Sequence, residues 1–331
     1  MLDDSLRQRL EALNRGPLAT EAALPAGPTW RVIGGAPARV AQHTVHPPAK
    51  ASSSPASSST AHPCQPVPGL LCRGEVVEND VGQHLRVRLS LDEFWPGGER
   101  LVTARQEYLK GLLATAHQAI EPRVVMEADF AALVAALPDR VLLLDLETCG
   151  LAGAALFLVG LLRRIDGTSA IELLMARTYA EEAAVLQSLW QIVAAHDVLM
   201  TFNGKSFDWP MVRERSVRHR LQPEEWAPPT SVKRQPSNQP SKLVGGAHPT
   251  HVDILHHARR RWRGQLPDCR LQTLERLVCR RSRTGDIAGH RIPAVYAEFV
   301  RTGFERDMDA VLHHNALDLV TLLDLALRLA A

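Results

Sequence analysis

Arg140-Val141-Leu142-Leu143-Leu144-Asp145-Leu146-Glu147-Thr148 decides how this chain is read. An apolar run that ends in an acid predicts a central strand covered on both faces, because such strands are continuously hydrophobic. In a strand, residues two apart face the same side. Asp145 and Glu147 therefore project together from the strand's end. Two carboxylates held that close repel unless a proton or a cation intervenes. A hard divalent ion such as Mg²⁺ or Mn²⁺ suits all-oxygen ligands. Taken alone, an Asp-x-Glu pair is short and common, and a strand end with solvated acids accounts for it as well.

The pattern continues outward from that strand. Residues 155–163 and 170–176 read as two more strands, with Asp166-Gly167 as the turn between them. Residues 181–195 have helical periodicity, and 198–202 form a further apolar strand with a helix starting near Phe207. Residues 222–248 are rich in Pro, Ser and Gly and read as a loop. Helices follow over 252–261 and 271–280, and a long one over 307–330 closes the chain. The expected fold class is α/β, a mixed sheet flanked by helices. This main domain is expected over 122–331. Before it come residues 1–43 with a short helix over 2–14, a Pro- and Ser-rich linker over 44–68, and a small β-containing accessory region over 69–121.

Composition sets the wider bounds. The 331 residues hold 38 Lys and Arg against 36 Asp and Glu, so partners are decided by local clusters, not by net charge. Five cysteines without a C-x-x-C pair argue against a disulfide framework or a structural zinc site, and for a reducing compartment. Neither a signal peptide nor a bilayer-spanning apolar run is evident, so a cytoplasmic protein without a membrane partner is expected.

Two further stretches carry chemistry. Thr201-Phe202-Asn203-Gly204-Lys205-Ser206-Phe207-Asp208 takes a strand through a polar turn into a helix. That delivers Asp208 to the carboxyl edge of the sheet, the usual position of sites in α/β folds. Asn203 and Ser206 are candidates to position a phosphate or ligand there, and Lys205 to contact phosphate; a plain helix cap by Ser206 or Asp208 is the alternative. In His313-His314-Asn315-Ala316-Leu317-Asp318, His314 and Asp318 are four apart and share a helix face. An imidazole can accept a proton from water near neutral pH; histidines packed against the core are the competing account.

In this order, the three stretches resemble the DEDD group of 3′–5′ exonucleases of the RNase H-like superfamily, and within it the YprB-type predicted exonucleases, which are similar to the proofreading domain of B-family polymerases. Val252-Asp253-Ile254-Leu255-His256 and Arg270-Leu271-Gln272-Thr273-Leu274-Glu275 extend the likeness, which covers roughly residues 140–328. The resemblance implies that Asp145, Glu147, Asp208 and Asp318 ligate two Mg²⁺ or Mn²⁺ ions and that nucleic acid, DNA or RNA, is the substrate. It leaves the general base open between two histidines. His314 stands where these relatives carry Tyr, and a related subgroup places its His one residue further from the Asp, as His313 is here. Motif alignment and helix geometry favour His314. After Gly150 the chain reads Leu151-Ala152-Gly153-Ala154 where relatives have a Gly-Thr-rich stretch.

Arg-rich stretches flank these motifs. Arg260 and Arg261 are candidates for phosphate contact and Trp262 for base stacking, with Arg276, Arg280, Arg281 and Arg283 as a second basic group. A solvated helix face is the alternative for each. A catalytically silent nucleic-acid-binding module and a structure-specific endonuclease are the competing functions on the same fold. The sequence does not point to a protein partner.

Overall fold

The computed structural model describes residues 62–64, 69–118, 128–150, 153–221 and 249–329. The expected helix over 2–14 and the loop over 222–248 lie outside the described residues. The described part belongs to a compact unit that starts at Ser58.

The strands are β1 (His62–Cys64), β2 (Glu75–Asn79), β3 (Gly82–Ser90), β4 (Val141–Thr148), β5 (Leu156–Ile165), β6 (Thr168–Met175), β7 (Val198–Thr201), β8 (Thr250–Asp253) and β9 (Arg281–Arg283). The helices are α1 (Gly98–Gln118), α2 (Ala128–Ala136), α3 (Glu182–Val193), α4 (Asp208–Arg218), α5 (Ile254–Trp262), α6 (Leu271–Leu277), α7 (Ile292–Thr302) and α8 (Arg306–Leu329). Seven strands form one mixed sheet in the order β2-β3-β6-β5-β4-β7-β8. The pairs β2-β3, β3-β6, β6-β5 and β5-β4 are antiparallel, and the pairs β4-β7 and β7-β8 are parallel. The expected mixed sheet with flanking helices is the one observed.

The quoted stretch is its central strand. Val141 to Leu144 are buried, as are Leu156 to Leu162 opposite them, apart from glycine the apolar wall against which the helices pack. Helix α8 lies across β4, β5 and β6. By length and composition α8 would pass for a membrane span, contrary to the expectation from sequence; 89% of that window is buried inside the protein, and it is a core helix. The tight turn from β5 to β6 places both Asp166 (φ 50°) and Gly167 (φ 80°) in the left-handed region, as a two-residue hairpin turn requires.

Three expectations need correcting. Strand β3 pairs along its length with β6, so the 69–121 region is an extension of the main sheet rather than a small separate one. Alternation along Leu85, Val87 and Leu89 buries one face and leaves nothing to hold the hairpin by itself. The 44–68 stretch, expected as a linker, contributes β1, which pairs in parallel with β9. Val252 and Asp253 belong to a strand, β8, and helix α5 begins only after them, because Asp253 is its N-cap and accepts the Leu255 N–H at 3.1 Å.

One buried ion pair fastens the helices to the sheet beside the end of β4. The Glu182 carboxylate, 2% exposed, receives Arg215 from α4 at 2.5 and 2.7 Å, His219 at 2.8 Å and the Leu156 N–H at 2.7 Å. Burial works to raise its pKa, but the bonds from Arg215, His219 and Leu156 outweigh that and hold it below the ordinary 4.5. A depressed carboxyl contributes stability that is present above its ordinary pKa and is lost as pH falls through the folded value. Glu182→Ala leaves Arg215 buried without its partner and should cost about 3–5 kcal/mol in urea unfolding at pH 7. The gap from the parent protein should shrink as the pH is lowered below about 4; an equal gap at both pH values would show that the ion pair is not the source.

Candidate metal-binding site

Three elements deliver four acids to the end of β4. Asp145 and Glu147 come from β4 itself, on the same side as expected for i and i+2. Asp208 is the first residue of α4, immediately after the turn that leaves β7. Asp318 comes from α8, which crosses that part of the sheet. Asp145 and Glu147 are only partly accessible, and Asp208 is 6% exposed.

Their electrostatics are those of one cluster. Burial pushes Asp145 well above the usual carboxylate range, and the charges of Asp318, Glu147 and Asp208 push it further. Glu147 is raised to about 8 by burial, with His314 opposing and the neighbouring acids adding to the rise. Asp208 is raised to about 7, again first by burial, and hydrogen bonds from the backbone of Asp208 and Leu146 limit the rise. The structure thus gathers Asp145, Glu147, Asp208 and Asp318 into electrostatic contact.

The two histidines part company. His314 directs Nδ1 to Asp286 Oδ1 at 2.8 Å and Nε2 toward Asp318 Oδ2 at 3.5 Å. Burial lowers its pKa, but Asp286 and Asp318 more than compensate and raise it to about 8. His313 is buried, its ring 5.3 Å from that of Phe94 and both nitrogens without a hydrogen bond. Burial lowers its pKa. Only His314 faces the acids.

Arg283 overturns its expected role. With Arg281 it was expected among phosphate contacts; instead its guanidinium, 7% exposed, is spent on internal acids. It donates to Asp318 at 2.5 Å, Glu275 at 2.6 Å and Asp286 at 3.3 Å. Arg281, 8% exposed, bonds Thr321 and Asp324 at 3.2 and 3.1 Å. Arg260 and Arg261 are exposed on the last turn of α5, where Arg260 meets His257 Nδ1 at 3.1 Å. Trp262 is half-buried and packs against the core, which limits its face for stacking on a base. Asn203 and Lys205 are exposed in the turn before α4. Asp253 holds that turn, accepting the Asn203 and Lys205 N–H groups at 2.8 and 3.2 Å; Asn203 takes φ 65° to reach it. Lys205 Nζ is 4.0 Å from Asp129.

Among the described residues, no group of three or more His, Cys, Asp or Glu side chains has the spacing to hold a metal ion as it stands. The donor set nonetheless fits a hard divalent cation. It consists of carboxylate oxygens, and burial and mutual repulsion disfavour the ionised forms of Asp145, Glu147 and Asp208, a penalty that a cation relieves. Sequence reasoning missed Asp286, which follows Gly285 in an aperiodic stretch with no signal to mark it, and Asn315, which lies inside a motif yet had no role assigned.

Comparison with known proteins gives the family of this region. The family model described as RNase_H superfamily matches residues 142–330, more than half of the chain. The chain is also 30% identical over 191 residues to "Uncharacterized protein YprB" of Bacillus subtilis (strain 168), a stretch that is 56% of this chain and 41% of that protein. The chain therefore matches about two fifths of that relative's length.

A raised carboxyl destabilises the fold as it ionises: its contribution is fullest below the ordinary pKa and is lost as pH rises through the folded value. With Glu147 near 8 and Asp208 near 7, the metal-free protein should lose stability from about pH 5 to 8 through this cluster. In chelator, Asp145→Asn should therefore melt above the parent protein, and the difference should widen across that range. Added Mn²⁺ should close it. A difference that is flat with pH would count against a strained acid cluster.

Proposed function

Because the chain belongs to the RNase_H superfamily, whose members are typically nucleases, we propose that it is a metal-dependent 3′–5′ exonuclease that hydrolyses phosphodiester bonds. The observation that carries the proposal is the convergence of Asp145, Glu147, Asp208 and Asp318 on one partly buried site with His314 alongside. A silent binding module has no use for four mutually repelling acids and an aligned imidazole.

Asp145, Glu147, Asp208 and Asp318 are the residues that would hold the two divalent ions. Bound there, such ions supply a water of lowered pKa and stabilise the leaving oxygen. His314 is fixed through Nδ1 by Asp286, so Nε2, on the Asp318 side, is the atom that takes the proton of the attacking water. Arg283 pairs with one oxygen of Asp318 and offsets its charge. On this reading the turn from Asn203 to Lys205, held by Asp253, and the exposed Arg260 and Arg261 would meet the phosphates of a DNA or RNA strand.

End-labelled single-stranded DNA and RNA, incubated with Mn²⁺, Mg²⁺ or chelator, test the reading. Stepwise shortening from the 3′ end is expected with metal and not with chelator, and Asp145→Asn should abolish it. Cleavage of circular strands would instead favour an endonuclease, and metal-independent binding without cleavage would favour the silent module. Reversing both charges at Arg260 and Arg261 should weaken strand binding and flatten its salt dependence, as lost phosphate contacts do; an unchanged slope removes those two from the interface.

The pH profile follows from His314. A base must be unprotonated, so the rate should climb with pH, with an inflection at or below about 8, because bound cations offset the acids that raise His314. His314→Gln should lower the rate and remove that inflection. A profile unchanged by the substitution would exclude His314 as the base.

A further inference from the structure

Asp145 sits in an unusual enclosure. Its cross-strand neighbour on β5 is Gly160, in register with it across the antiparallel pair. Over Gly160 lies the side chain of Asn315 from α8, fully buried. Asn315 Nδ2 donates to Asp145 Oδ2 at 2.7 Å. Its Oδ1 is buried without a hydrogen-bond partner. A Cβ on Gly160 would overlap that oxygen and lie 2.7 Å from the amide carbon. The room in which Asn315 reaches Asp145 therefore exists only because residue 160 has no side chain.

Gly and Asn here are costly choices for stability alone. A glycine inside a strand packs nothing and weakens it. A buried amide with an unpaired oxygen carries a desolvation penalty that an apolar side chain in the same place would avoid. Both costs are borne next to a single acid, and among the described residues the amide's hydrogen bond goes to that acid.

We infer that Asn315 and Gly160 form a positioning pair for Asp145: the amide fixes one carboxylate oxygen, Oδ2, and thereby sets the direction in which Oδ1 is presented to a bound cation. Asn315 acts through Asp145, and Gly160 acts by leaving Asn315 its place. The inference rests on the nuclease reading for the purpose of Asp145, but not for the coupling between the two residues.

The experiment is a double-mutant cycle of Gly160→Ala, Asn315→Ala and both together, read by thermal unfolding in chelator, Mn²⁺ titration calorimetry and cleavage kinetics. Gly160→Ala alone should lower the melting temperature, and adding Asn315→Ala should restore much of that loss, a non-additivity expected only for residues in contact. Asn315→Ala should weaken Mn²⁺ binding or kcat by roughly 10- to 100-fold, the usual cost of losing a group that orients a metal ligand, with KM little changed. The double variant should regain stability while staying as poor in Mn²⁺ affinity and kcat as Asn315→Ala. Should Asn315→Ala not fold, Asn315→Ser is used in its place. Additive stabilities, or an alanine variant with the parent's Mn²⁺ affinity and kcat, would overturn the proposal. If the parent protein cleaves neither DNA nor RNA, the nuclease reading fails while the stability cycle and the Mn²⁺ titration still decide whether the pair positions Asp145.

Discussion

Negative charge held out of water at the end of β4 is the constraint around which the structure is arranged. Asp145, Glu147 and Asp208 are all driven upward in pKa, first by burial and then by their neighbours. Isolated carboxylates in such a place would stay protonated or force the strand open. The surrounding residues answer that cost one at a time. Arg283 pairs with Asp318, Asn315 with one oxygen of Asp145, and backbone N–H groups with Asp208. What these partners leave unbalanced is repulsion among the acids, which a proton or a cation relieves.

A second tier of carboxylates holds the first in place. Asp253 accepts two N–H groups of the turn that precedes Asp208, and also caps α5. Asp286 receives both His314 and Arg283, so imidazole and guanidinium are fixed by one group. Glu182 draws Arg215, His219 and the start of β5 together. In each case a buried or half-buried acid with several donors fixes groups near the site, and its charge strengthens each of those hydrogen bonds.

Much of this was legible in the chain before the structure. The apolar strand ending in Asp145, the strand-to-helix turn before Asp208 and the helical pairing of His314 with Asp318 are local patterns, and local patterns survive folding. The choice between His313 and His314 also follows from helix geometry, since only His314 shares a face with Asp318. What escaped depends on contacts between segments far apart in the chain. Arg283 looked like one more surface cation because nothing near it in sequence foretells that Glu275 and Asp318 would enclose it. Strand β3 looked separate because its partner β6 lies more than eighty residues away. Gly160 had no distinguishing mark, since its meaning is the space it leaves for a side chain on α8.

Helix α8 carries His314, Asn315 and Asp318 on the same 24 residues whose apolar side chains fill the core over β4, β5 and β6. Backbone of that kind opens only when the whole domain opens, unlike the loops on which many binding groups are mounted. Its amide protons at His314 to Asp318 would then exchange at the rate of global unfolding. A ligand that acts on this site has to do so by entering or blocking it, because loosening the acids themselves would dissolve the fold that bears them.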